Sequence, residues 1–424
     1  IAAWYSATGE NLWQMIREEQ GDWAWREALF LICGEQPDGQ MVRFGDNFFR
    51  GTERFSFRVV SERAFAYGEP AGAGYINYLL ETHARMTENR PGMEMGSEYQ
   101  VFLYWDADNP GVPRSTLPKR TLFSPRGTGM AFWRTGWGED DTFIFFKCGD
   151  YFDNHGHFDA GHVEVFRRAP LLIEAGSYAG GTDSEHYKKF FHNSVAHNTI
   201  QIADPALPED AGSQRYYNNQ GMGTIEAYRA DKAREMGNVI QYRDDDCWVY
   251  LAADFTDAYP PGRARRVVRE MAWIGERYLI VVDNVSLADS RFQPRVLWHY
   301  PVSPLLEQNR LIITDAGARA VVTVLAPDKA VVDTVAAFKV GSACYPPRNP
   351  QPALGVGRAE VSVPGTGEYD YTFVQAIEIT DTTGSVSPLS LGPGAGPGSL
   401  SIELPVGVLT LQGPAGARSR IHFE

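Results

Sequence analysis

Six of the nine histidines in this 424-residue chain fall between positions 155 and 197: His155, His157, His162, His186, His192 and His197. That density is the chain's strongest chemical signal, because imidazole titrates near neutral pH and is also the commonest metal ligand. The stretch opens with Asp153-Asn-His-Gly-His-Phe-Asp159. On an extended strand, side chains at i and i+2 share a face, so His155 and His157 are expected to enter one cavity together. Glu174 stands in an apolar run, Pro170-Leu-Leu-Ile-Glu-Ala-Gly176, where a carboxylate is unfavourable to bury unless paired or bound to a cation. His197 follows in Ser194-Val-Ala-His-Asn-Thr199, at the entry to the strand expected to end at Ile202. Two imidazoles and one carboxylate from neighbouring strands suit Zn²⁺ or Mn²⁺, with Asp159, Asn198 or backbone carbonyls to hold the second ring nitrogens. Spacing alone leaves a cation site and a hydrogen-bonded polar cluster both open.

The elements that must carry these residues change character along the chain. Ile1 to Gln14 reads as helix, Glu10 to Gln20 stripes Leu12, Met15 and Ile16 along one face, and Trp25 to Cys33 follows with Gly34 as C-cap. Ala73 to Met86 sets Ile76, Leu79, Leu80 and His83 at helical spacing, which makes His83 a packed histidine rather than a ligand. Between the helices, Pro37-Asp38-Gly39 and Phe44-Gly45-Asp46-Asn47 form turns. From about residue 120 short apolar runs take over: Thr142–Cys148, His162–Phe166, Leu171–Glu174, Asn198–Ile202, Cys247–Leu251, Tyr278–Asp283, Val296–His299 and Ala320–Leu325. Helices first and antiparallel strands afterwards is an α+β order, not the alternation of a nucleotide-binding fold. The expected domains are 1–115 (helical), 116–330 (central β-sandwich with the site) and 331–424 (C-terminal β-region), with 384–398 a surface loop rich in Gly, Pro and Ser.

The formal net charge of −14 argues against nucleic acid as partner. An anionic ligand would need a locally positive cleft. No apolar run approaches the roughly 18 residues that span a bilayer. Cys33, Cys148, Cys247 and Cys344 lie far apart with no CxxC pair and are expected to be buried thiols. Asp244-Asp-Asp246 reads as a solvated turn before it reads as a calcium site.

Three stretches together, Asn154-His-Gly-His-Phe-Asp-Ala-Gly161, Leu172-Ile-Glu-Ala-Gly-Ser-Tyr178 and Asn193-Ser-Val-Ala-His-Asn-Thr199, resemble the signature block of the heparinase II/III-like polysaccharide lyases, which include alginate, heparin and heparan sulfate lyases. Gly129–Trp137, Tyr278–Asp283 and Leu297–His299 support the resemblance over about residues 120–300, and Arg43-Phe-Gly-Asp-Asn47 resembles the end of the family's helical (α/α) toroid. The fold implied is the end of that toroid followed by large antiparallel β-sandwiches. The resemblance assigns a divalent metal, Zn²⁺ before Mn²⁺ or Ca²⁺, to His157, Glu174 and His197. Position 174 is often Asp in the family, and Glu there favours alginate, with heparin or heparan sulfate next. His155 matches the position that faces substrate, and Tyr187 the place of a substrate-contacting tyrosine. Asn154, His192, Lys188 and Arg120 are candidate substrate contacts, with Lys189, Arg126 and Arg134 as further cations near the block.

The implied reaction is β-elimination at a uronate, in which the C5 proton leaves and the 4-O-linked sugar is expelled, with His155 neutralising the carboxylate or acting as base. The family's principal tyrosine precedes the HGH motif by a long stretch. Only Tyr5 stands near that distance, Tyr75 and Tyr78 read as packing residues, and the tyrosine is therefore expected upstream on a toroid segment absent from this sequence. A secreted or periplasmic setting goes with a polysaccharide substrate. Two competing readings remain: a non-haem iron oxygenase built on two histidines and a carboxylate, and a sugar-binding protein without catalysis.

Overall fold

The computed structural model describes residues 2–21, 23–47, 72–74, 77, 108, 111–151, 155–207, 212–215, 225–230, 234–365, 367–394, 399–412 and 421–423. The chain divides into two compact units: Ile1–Val42, Arg50–Thr121 and Gly136–Glu139 make the first, and Arg43–Phe49, Leu122–Thr135 and Asp140–Glu424 the second.

The first unit carries helices α1 (Ala2–Thr8), α2 (Leu12–Gln20) and α3 (Trp23–Gly34). The single helix expected over residues 1–14 is broken. Gly9 turns into the left-handed region at φ +76° and donates to the Tyr5 carbonyl at 2.8 Å, closing α1. Asn11 then caps α2, its Oδ1 accepting from the Gln14 amide at 3.2 Å. Most of Ala73–Met86, with Ile76 and His83, lies outside the described residues. A buried ion pair, Arg114 Nη1 to Glu35 Oε1 at 2.7 Å, stands in this unit, its other terminal nitrogen donating to the Trp137 carbonyl at 2.8 Å.

The second unit is built of antiparallel sheets. Its centre is an eight-stranded sheet in the order Leu305–Glu307, Arg310–Asp315, Ala318–Ala326, Asp370–Asp381, Tyr278–Leu287, Ala264–Ile274, Trp248–Asp254 and Asn238–Asp244. One face of it, with Leu251, Met271, Trp273 and Val281, packs on Trp133, Phe146, Val165 and Trp298 of two other sheets, and Trp133 stacks on Trp273 with centroids 6.5 Å apart. Its other face, with Tyr250, Ile274, Ile280 and Val374, packs on Ile402, Leu409 and Ile421 near the C-terminus. Burial on both faces is why these strands read as unbroken apolar runs instead of alternating ones.

The sheets opposite the first face hold the histidine block. A five-stranded sheet follows chain order: β1 (Arg120–Phe123), β2 (Met130–Arg134), β3 (Thr142–Lys147), β4 (His162–Arg167) and β5 (Ala169–Leu172). Next in the chain, β6 (Ile200–Ala203) edges a four-stranded sheet with Gln293–Tyr300, Gly357–Ser362 and Val331–Ala336. Glu174 lies two residues past β5, not within it as expected, and His197 lies three residues before β6. Two further expectations are corrected. Cys247 and Cys344 are exposed thiols, because each sits at a hairpin end rather than in a strand interior, while Cys33 and Cys148 are buried. Leu391–Pro393, inside the expected loop, pairs as a short edge strand with Leu400–Ile402.

Candidate metal centre

The segments that bear the site are short irregular connections held by backbone bonds. Ala175 donates to the Ala196 carbonyl at 2.9 Å, which fastens the segment after β5 to the one before β6. Asn198 sits between them. Its Nδ2 donates to the carbonyls of Val163 (2.8 Å) and Ile173 (3.1 Å), its Oδ1 accepts from the His299 amide at 2.6 Å, and its own amide donates to His162 Nδ1 at 2.9 Å. With residue 198 locked, the backbone that carries His197 is held in place.

His157, Glu174 and His197 meet with their ligand atoms all within 4.8 Å of one another, and all three are buried. Glu174 Oε1 lies 3.3 Å from His157 Nδ1 and 3.5 Å from His197 Nδ1. Four-coordinate zinc with bonds of about 2.0–2.1 Å separates adjacent ligand atoms by roughly 3.3–3.4 Å, so these spacings fit a shared cation. The same atoms make no hydrogen bond: His157 Nδ1, Glu174 Oε1 and both ring nitrogens of His197 are sealed from water and unpartnered. Burying four such polar atoms together is unfavourable unless something else satisfies them. Burial first, then neighbouring His157, holds His197 well below its ordinary pKa, so it stands in the neutral form that ligates. Burial acts to lower His157 too, but the Asp46 and Glu174 carboxylates outweigh it and hold that imidazole above its ordinary value. Glu174 Oε2 accepts from Asn47 Nδ2 at 3.3 Å, and the Glu174 amide donates to buried Glu164 Oε1 at 3.0 Å.

The expected strand over the HGH motif does not form, because residue 155 turns against the chain at Gly45–Asp46. His157 is fully buried and His155 is 65% exposed, so the two imidazoles line one cavity at different depths. They are joined through Asp46, whose Oδ2 lies 2.7 Å from His155 Nδ1 and whose Oδ1 lies 3.0 Å from His157 Nε2. A cavity of about 230 Å³ opens here, lined by Asp46, His155, His157, Tyr151, Asp159 and Lys147 among others. Lys147 and Asp159 form a buried ion pair on its wall.

Of the remaining expected site residues, Tyr187 and His192 pack against His157, with ring centroids 6.1 and 5.3 Å from its own. Tyr187 is buried, stacked on His192 with centroids 4.9 Å apart, and stands beside Asp46; burial, then that carboxylate, raises its hydroxyl above the usual value. His192 is buried, bonded through Nε2 to the Gly156 carbonyl at 2.8 Å, and burial followed by His157 pushes it down to about 4. His186 is pinned by Nδ1 to the Tyr345 carbonyl at 2.7 Å. Lys188 is exposed and 3.9 Å from Asp183, and Arg134 is buried over the Phe143 ring at 5.0 Å. Arg120 opens β1 at the edge of the five-stranded sheet, and Asn154 lies outside the described residues. Asp46, Asn47 and Glu164 had no assigned role in the sequence. An Asp-Asn pair in a Gly-containing turn looks like a solvated turn, and nothing local shows that it closes on residues more than a hundred positions away.

The family model described as heparinase II/III-like, C-terminal, matches residues 118–342. Among solved structures, the chain is similar to the heparan sulfate lyase HepC from Pedobacter heparinus, with 14% identity, a TM-score of 0.61, and coverage of 93% of this chain and 51% of that one. A structure titled heparinase III gives 12% identity, a TM-score of 0.59, and coverage of 91% and 53%. The chain thus spans about half the length of these structures. At this identity the likeness concerns the fold. No curated protein matches the sequence.

Proposed function

Since the match over residues 118–342 of 424 makes the chain a member of the heparinase II/III-like family, we propose that it forms part of a polysaccharide lyase that cleaves a uronic-acid polymer by β-elimination. The observation that carries this reading is an exposed imidazole, His155, tethered through Nδ1 to Asp46 beside a buried His–Glu–His centre. In the reaction a base takes the C5 proton of the uronate, the C5–H electron pair forms the C4–C5 double bond, and the C4–O4 pair leaves on O4, which takes its proton from a general acid or water. His155, charged, donates from Nε2 to the uronate carboxylate and so acidifies C5; neutral, the same nitrogen accepts the C5 proton. Tyr187, buried beside Asp46, holds a supporting place around that carboxylate rather than one at the reacting atoms.

Zn²⁺ is the cation of first choice for His157, Glu174 and His197, and Mn²⁺ the second, while Ca²⁺ is disfavoured by imidazole ligands because it prefers oxygen. When bound, the metal supplies local positive charge and fixes the HGH segment. Elimination needs no metal-bound hydroxide. Heparan sulfate is the first substrate to test, given the names of the two solved structures, and alginate the second, given Glu174. A polysaccharide substrate goes with a secreted or periplasmic setting. The full-length protein should give an ultraviolet-absorbing unsaturated uronate from one member of a panel of heparan sulfate, alginate, hyaluronan and chondroitin. His155→Ala should lower that rate by about 10²-fold or more. An oxygen requirement without unsaturated product would favour the oxygenase reading, and binding without turnover the non-catalytic one.

A further inference from the structure

Between Asp333 and Glu360 the chain holds no acidic residue, although 53 of its 424 residues are Asp or Glu, while Lys339, Arg348 and Arg358 fall inside that span. The span includes a short hairpin, Lys339–Val340 against Ala343–Cys344. Its two-residue tip, Gly341-Ser342, has Gly341 at φ +57°, a conformation that suits the twist of the paired strands. The hairpin belongs to the second unit and packs beside the histidine block. Phe338, at its base, sets its ring edge-on to His186 and Phe190, with centroids 5.6 and 5.5 Å away, and its carbonyl accepts from the Tyr345 amide at 2.9 Å. Buried Arg358 bolts the hairpin down: its guanidinium pairs with Glu360 at 2.6 Å and donates to the Lys339 carbonyl at 2.8 Å. Ring contacts run on from this cluster to the exposed imidazole, from Tyr187 to Tyr178 at 5.7 Å and from Tyr178 to His155 at 6.5 Å.

We infer that the surface of this cluster is a subsite for an acidic sugar unit of the polymer beyond the scissile one, where Lys189, Lys339 and Arg348 pair with its carboxylate or sulfate. This rests on the lyase reading given above and adds a part of the substrate site to it. All three residues are exposed, and among the described residues none has a carboxylate within ion-pair distance. Lys188, next to them, lies 3.9 Å from the fully exposed Asp183, a pair that water screens. Over residues 183–191 and 337–350, Lys188, Lys189, Lys339 and Arg348 stand against Asp183 and Glu185 alone, which leaves this surface positive on a chain of net charge −14. An acidic polymer needs such a local reversal of sign to approach a protein of its own charge. The guanidinium of Arg348 offers a planar fork to a carboxylate or sulfate, and the two ammonium groups act as point charges. Each contact is weak by itself, but on one chain the first raises the effective concentration for the next. The hairpin, bolted by Arg358, fixes the backbone from which Lys339 projects.

The test measures affinity for heparan sulfate and for alginate, with neutral dextran as the uncharged control, by isothermal titration of the full-length protein carrying His155→Ala so that the polymer stays intact. Lys189→Gln, Lys339→Gln and Arg348→Gln combined should weaken binding of the preferred acidic polymer by about tenfold, since three exposed pairs each contribute modestly. That loss should shrink as salt is raised. Arg265→Gln, Arg291→Gln and Lys329→Gln combined remove the same charge from other exposed positions of the second unit and should weaken binding far less. Thermal unfolding of both combined variants should match the parent, because surface substitutions change stability little. Equal losses in the two sets would reduce the effect to net charge and overturn the proposal. Unchanged affinity in the first set would overturn it too, as would a parent that binds neither acidic polymer more tightly than dextran. Because affinity is read without turnover, absence of an unsaturated product from the protein with His155 intact would overturn the lyase reading and leave the cationic subsite standing as a binding site.

Discussion

His197 and Asn198 are chain neighbours, both with no exposed surface, and they are treated in opposite ways. Every side-chain polar atom of Asn198 has a protein partner, while neither ring nitrogen of His197 has one. The same contrast separates two larger clusters of the second unit. Arg269 and Asp283, both sealed, are joined by a two-pronged bridge of 2.7 and 3.0 Å, and Arg269 also donates to the carbonyls of Gly161 and Asn198. His157, Glu174 and His197 face one another with their inner atoms unpaired. A buried network that the protein completes by itself is scaffold. A buried cluster of ligand-type atoms that the protein leaves open is a candidate cation site.

The largest effect is expected where the network is complete. Arg269→Ala leaves Asp283 charged and buried without its partner, which should lower stability by about 3–5 kcal/mol. Urea denaturation should show that loss equally with and without chelator, since Arg269 touches no ligand atom. A loss confined to the metal-loaded protein would mean that the two clusters are one system and would remove the comparison.

The open cluster should behave in the reverse way. Zn²⁺ at a hundred times its dissociation constant should stabilise the wild type by about 2.7 kcal/mol relative to the chelated protein. His197→Ala should abolish that difference, and in chelator it should cost less than Asn198→Ala, because no hydrogen bond is lost with the imidazole. Thermal unfolding of the wild type that is unchanged by Zn²⁺ would leave the four unpaired atoms without an explanation and would sink the metal reading.

Much of the scaffold was legible in the sequence and less of the site. Runs such as Tyr278–Asp283 announce their strand because burial on both faces of the central sheet demands apolar residues at every position. That His157, Glu174 and His197 converge was legible through the HGH, Glu174 and His197 motifs. The strand expected for His155-Gly-His157 was not correct, since i, i+2 spacing fixes a shared face only where the backbone is extended, and here a tertiary contact from Gly45 and Asp46 turns it. Tyr187, a substrate contact by the family resemblance, and His192, a candidate beside it, stack on each other against His157, a packing that no local feature of the sequence shows. Asp46 was invisible for the same reason that it matters: its partners are 109 and 111 residues away.

The smallest effect, and the sharpest on the boundary between the clusters, is expected from Asn47→Ala. Asn47 belongs to neither class: its Nδ2 holds Glu174 Oε2 at 3.3 Å, while its own Oδ1 is buried without a partner. The bond it makes is long and leaves Glu174 Oε1 free for the cation, so it orients the ligand without completing it. Removing a residue that orients a ligand from behind weakens metal affinity by about 10–100-fold. The length of this bond, and the second anchor that Arg43 provides on the Glu174 backbone, put the expected loss near the tenfold end. Stability in chelator should change by about 1 kcal/mol or less, because the substitution removes one unpaired buried oxygen along with two long hydrogen bonds of Nδ2. Isothermal titration with Zn²⁺ beside denaturation in chelator separates the two quantities. Unchanged affinity together with a large loss of stability would move Asn47 into the scaffold and shift the edge of the open cluster inward, to the three ligands and Asp46 alone.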